Sequence, residues 1–98
     1  DIAGIEEIER LDRRFARYGM VRLPKSHATT FNNGSTSSYA PADLDHVFAT
    51  ETLTFADQGQ GARVHVGGWA TLADVAEADE WIAAFSDHAP LTFTVTGL

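Results

Sequence analysis

Asp87 and His88 stand side by side in Ser86-Asp87-His88, directly before Ala89-Pro90-Leu91 and a run of alternating residues. The pair sets a carboxylate that can anchor a metal ion or a water beside an imidazole that changes charge near neutral pH. Both would lie at the rim of a strand, where a substrate can reach them. Adjacent Asp and His are a weak signal alone, because Asp also stabilises turns through its own side chain and Asp87 could simply cap a helix-to-strand connection. Some forty residues upstream runs Leu44-Asp45-His46-Val47-Phe48, in which Asp45 by itself reads as a strand-end carboxylate. His46 and His65 have no i,i+2 or i,i+4 partner of metal-binding type and read as packed or edge residues.

The elements that must position these side chains follow from periodicity. Ile5, Ile8, Leu11, Phe15 and Tyr18 recur at helical spacing and predict a helix over 4–18. Glu6, Glu7 and Glu9 fall in its first turns and Arg13, Arg14 and Arg17 in its last, with Gly19 to stop it. Residues 20–23 read as a short strand ended by Pro24. Residues 25–43, rich in Ser, Thr, Asn and Gly, read as a long loop, either a functional rim or a solvated connector. Residues 44–50 predict a strand apolar on both faces, hence covered on two sides. Turn chemistry at 57–61 leads to a strand at 62–66, closed by Gly67-Gly68. Thr71-x-x-Asp74 reads as a capping box opening a second helix with Leu72, Val75, Ala78, Ile82 and Phe85 on one face. After its end at 85 or 86, residues 91–96 alternate as a strand with Leu91, Phe93 and Val95 facing a core. Trp69 and Trp81 read as packing residues.

Composition limits what this framework can do. Ninety-eight residues, 44% hydrophobic, suit one small domain, and the lack of cysteine removes disulfides, thiolate metal sites and a cysteine nucleophile. A net charge of −7 has the wrong sign for gripping a polyanion broadly, which disfavours a standalone nucleic-acid binder. Six of the seven basic residues lie between Arg10 and Lys25, so the remainder is acidic apart from Arg63. Carboxylates gathered near a phosphate make better sense with a divalent cation present. No transmembrane run or basic leader is read in these residues, and localisation is left open.

Taken in order, Thr29-Thr30-Phe31, Leu44-Asp45-His46-Val47 and Ser86-Asp87-His88-Ala89-Pro90 resemble the C-terminal portion of the endonuclease/exonuclease/phosphatase family, the deoxyribonuclease I-like hydrolases. The resemblance spans essentially the whole chain but corresponds to only the last third or so of a family domain. The family's Asn, its metal-binding Glu and its Gly-Asp-x-Asn motif have no counterpart here. The resemblance implies an α+β fold, half of a four-layer α/β sandwich with mostly antiparallel sheet and two helices, and a single partial domain over 1–98. It implies a phosphoesterase dependent on Mg²⁺ or Mn²⁺, acting as phosphodiesterase, nuclease or phosphatase, with the metal held mainly by ligands outside this chain. His88 would then contact the scissile phosphate, Asp45 would hydrogen-bond its imidazole, and Asp87 would ligate metal or water. Apart from the resemblance, Phe31, Asn32 and Tyr39 of the long loop are candidate substrate contacts, with anchoring of the loop to the core as the alternative. The isolated chain would be inactive, and its apolar sheet face would be covered by forming a homodimer. The alternative from another class is a non-catalytic interaction module that keeps the fold.

Overall fold

A computed structural model describes residues 2–98. The amphipathic N-terminal stretch forms helix α1, Ile2–Ala16. It begins two residues before the periodicity predicts, so Glu6, Glu7 and Glu9 lie beyond the first turn while Arg13 and Arg14 keep the last. Arg17 and Tyr18 leave the helix in a turn closed by Tyr18 N–H to Phe15 O (2.9 Å), and Gly19 reverses the chain at φ +69°. Tyr18 is therefore exposed rather than part of the apolar face. Phe15 stacks on Phe48 with ring centroids 4.1 Å apart, and Asp12 takes a two-pronged hydrogen bond from Arg22 (2.9 and 3.1 Å), which together dock α1.

Three two-stranded antiparallel sheets follow. Strand β1 (Met20–Arg22) pairs with β2 (Phe48–Thr50), β3 (Thr54–Phe55) with β6 (Val95–Gly97), and β4 (His65–Val66) with β5 (Leu91–Thr92). Two strand expectations need correction. Residues 44–47 are not in β2, because the backbone groups of Leu44 and Asp45 are taken by side chains of the preceding loop instead of a ladder. The alternating run 91–96 breaks at Phe93-Thr94, where the chain leaves one sheet for another. Leu91 packs inward, but Phe93 and Val95 remain 46% and 45% exposed. Alternation reports which residues share a face, not whether the same partner strand continues beside them.

The 25–43 segment is no free loop. Lys25 bridges to Val64, Phe31 pairs with both Ala42 and His88, and Asn32 N–H donates to Asp87 O (2.9 Å). Helix α2 (Val75–Ala84) opens at Asp74, whose carboxylate accepts from Glu77 N–H (3.0 Å). The cap expected at Thr71 belongs instead to a preceding 3₁₀ turn, where its hydroxyl donates to Gly68 O. On the helix Ala78, Trp81 and Ile82 face inward, while Val75 at its start and Phe85 just past its end face water.

Two small clusters form the core. Leu23, Ala49 and Val64 gather Val47, Leu53 and Phe55; Val66, Trp69 and Ala89 gather Ala70, Ala78, Trp81 and Ile82. Leu91 touches both and joins them. Gly68, at φ +59°, lets Trp81 close over the second cluster, since a Cβ there would lie 2.6 Å from the indole. The class is α+β, with two α-helices and small antiparallel sheets. Its accessible surface of 6,550 Å² exceeds the roughly 5,500 Å² of a compact monomer of this mass. Likewise the 14.7 Å radius of gyration exceeds the roughly 13 Å of a closed domain of this length. No helix among the described residues is long and apolar enough to cross a membrane.

Candidate functional site

Buried Thr30 is the centre from which the site is built. Its hydroxyl accepts from the N–H groups of Leu44 (3.1 Å) and Asp45 (2.9 Å), and its carbonyl accepts from Ala89 N–H (2.8 Å). One residue thus ties the Asp45 segment to the residue after His88. Trp69 adds a second tie, donating its indole N–H to Asp87 O (3.2 Å). Ser86 supplies a third, its hydroxyl accepting from His88 N–H (3.0 Å). Pro90 O receives Gly67 N–H, so the 86–90 connection is pinned through its backbone.

Held this way, Asp45 Oδ2 lies 2.6 Å from His88 Nδ1, across 43 residues of sequence. The imidazole is 48% exposed. Its hydrogen bond to Asp45 raises the His88 pKa above the ordinary imidazole value against slight desolvation, and the charges of Asp45 and Asp87 add to the rise. The carboxylate engages Nδ1, which leaves Nε2 for an outside group; the edge of the ring rests against Phe31, centroids 5.5 Å apart. This arrangement can donate a proton or a charge-assisted hydrogen bond to an oxyanion at Nε2.

Asp87 points its carboxylate elsewhere, taking Asn33 Nδ2 on Oδ2 (3.0 Å), and Ser37 Oγ in turn donates to Asn33 Oδ1 (2.9 Å). Asn32, the expected substrate contact, spends its side-chain oxygen on Gly34 N–H in a local turn. Its neighbour Asn33 is the one that reaches the site. Magnesium demands near-octahedral oxygen ligation, and Asp87 can offer it one free carboxylate oxygen while Asp45 is engaged with His88. No three His, Asp or Glu side chains converge as a metal site among the described residues.

Sequence reasoning missed Asn33, Lys25 and the bond from Trp69. Lys25 and His46 lie behind the site rather than on it. The ring of His46 is only 7% exposed, and burial, then the Lys25 charge, lower its pKa. Concavities of 410 and 340 Å³ are lined by neither Asp45 nor His88, the first between α1 and 41–44, the second bordered by Val21, Leu53 and Phe55. Comparison with protein-family models, with curated proteins and with solved structures finds no match to this chain.

Proposed function

We propose that this chain is the C-terminal part of a Mg²⁺- or Mn²⁺-dependent phosphoesterase domain of the endonuclease/exonuclease/phosphatase type. In this reading His88, oriented by Asp45, meets the scissile phosphate, and Asp87 contributes one ligand to a metal or its water. The observation that carries the reading is the 2.6 Å contact between Asp45 and His88, which joins the two motifs that resemble that family. A carboxylate on Nδ1 stabilises the imidazolium that faces a developing phosphate charge. The surface excess and the exposed Phe93, Val95 and Leu98 support a domain whose remaining apolar cover comes from elsewhere.

Hydrolysis of bis-p-nitrophenyl phosphate with Mg²⁺ or Mn²⁺ tests the proposal on the 98-residue chain and on a longer protein carrying it. The chain alone is expected to be inert; the longer protein is expected to turn over, with His88→Ala and Asp45→Asn each lowering kcat at least about 100-fold. An inert longer protein sinks the hydrolase reading. Turnover by the chain alone, lost in His88→Ala, sinks its incompleteness. The same exposed residues favour a second reading, a non-catalytic interaction module that keeps the fold with Asp45 and His88 as structural remnants. The hydrolysis assay on the longer protein separates the two, and sedimentation velocity tests the twofold dimer expected of the isolated chain: a well-folded monomer up to 100 μM (roughly the range where weak dimers form) removes it.

A further inference from the structure

A buried lysine meets the backbone of Asp45, whose side chain meets His88. The Lys25 side chain is 6% exposed, and its ammonium meets three acceptors within one short stretch. They are the Asp43 carboxylate, the Asp45 carbonyl (2.7 Å) and His46 Nδ1 (3.3 Å). An ammonium has three N–H donors and no acceptor, so all three are spent on residues 43–46. The backbone of Asp45 is consequently held at both ends: Thr30 Oγ1 accepts its N–H, and Lys25 Nζ donates to its C=O. No ladder holds this stretch, since β2 begins only at Phe48.

Burying a lysine costs free energy that a surface residue would avoid, and here it is offset by one carboxylate and two neutral acceptors. An apolar residue would fill the same space beside Val64 without that cost. What it could not do is fix the peptide of Asp45. We propose that Lys25 is a positioning residue for the Asp45–His88 pair, acting through the Asp45 carbonyl and not through any contact with substrate. The inference rests on the reading of that pair as a working site, but its test reads the pair itself and not hydrolysis.

The arrangement makes the tautomers of two histidines informative. Asp45 on Nδ1 calls for an Nδ1–H imidazole at His88, whereas donation by Lys25 calls for a bare Nδ1, and so Nε2–H, at His46. Long-range ¹H–¹⁵N correlation spectra, recorded where both rings are neutral, read each one separately. Three proteins are compared: the unaltered chain, Lys25→Met, and Lys25→Met with Asp43→Asn, which leaves no unpaired buried charge. The unaltered chain is expected to show the two opposite tautomers. In the folded variants His88 is expected to lose its Nδ1–H preference and revert to the Nε2–H form that a free imidazole favours, while exposed His27 keeps its spectrum. An unchanged His88 tautomer in the folded double variant overturns the proposal. So does an unaltered chain without the Nδ1–H form, and so does failure of both variants to fold, which would make Lys25 a residue of the core alone. A hydrolysis assay that fails leaves all of these outcomes standing.

Discussion

The segment 25–46 and the C-terminal edge 85–98 invert the usual rule of burial. The first sinks a lysine, a threonine and a histidine ring into the interior, each with partners; the second leaves Phe85, Phe93, Val95 and Leu98 in contact with water. Buried polar groups cost free energy unless their donors and acceptors are met, and here no buried side-chain nitrogen or oxygen is left without a partner among the described residues. Such networks define one backbone geometry, because alternatives strand a partner. Exposed apolar side chains on short strands define little by themselves. The chain therefore places Asp45 and His88 on a hydrogen-bonded frame and leaves its C-terminal apolar side chains exposed.

The largest expected effect lies beside the second region, where Gly68 packs against Trp81 and Pro90. Gly68→Ala demands a positive φ from an L side chain and drives a methyl toward Trp81 and Pro90, with contacts of 2.6 to 2.9 Å. A loss of about 3 kcal/mol in urea unfolding is expected. A loss under about 0.5 kcal/mol would mean that the second cluster is loose, and the contrast with the apolar edge would dissolve. Next comes Thr30→Val, which keeps the shape and removes the acceptor for two N–H groups. About 2 kcal/mol is expected from stranding them. Loss of stability without loss of the Asp45–His88 bond, read from the His88 spectrum, would separate the frame's thermodynamic role from its positioning one.

Val95→Thr probes the other region at constant shape. Monomer stability is expected to change by less than about 0.5 kcal/mol, since the side chain is already 45% exposed. Any dimer seen in sedimentation should weaken, and a large stability loss in a strictly monomeric protein would show this edge to be better packed than its exposure implies.

Much of this was legible before folding. Both helices and the turn at Gly19 follow from spacing and residue type, whereas Asp45 joins His88 only by the family resemblance and Asp87 turns its carboxylate to Asn33 instead. The pinned loop was not legible, because Ser, Thr and Asn serve solvated turns and interior hydrogen bonds with the same atoms. Lys25 looked like the last of a basic run, and only closure onto residues 43–46 reveals its three acceptors. The break at Phe93-Thr94 was hidden for a different reason: leaving β4 for β3 alters no side-chain pattern, only the partner.

The smallest effect, and the one that sets the two regions against each other most directly, is in pH. His46 and His88 flank the same carboxylate residue but are shifted in opposite directions. For His46, with its pKa lowered by burial and by Lys25, the stabilising contribution is complete above the unfolded value of about 6.5. It is lost as pH falls from there through the lower folded value. For His88, with its pKa raised by Asp45, the contribution is complete below about 6.5 and is lost as pH rises through the higher folded value. Urea midpoints should therefore decline on both sides of a maximum near pH 6 to 7, with solvent screening keeping the His88 limb shallow. His46→Asn, which retains an acceptor for Lys25, should flatten the acid limb alone, and His88→Asn, which retains a donor for Asp45, the alkaline limb alone. If His46→Asn flattened both limbs, the buried and exposed sides of Asp45 would be coupled through its peptide, which is the connection Lys25 makes.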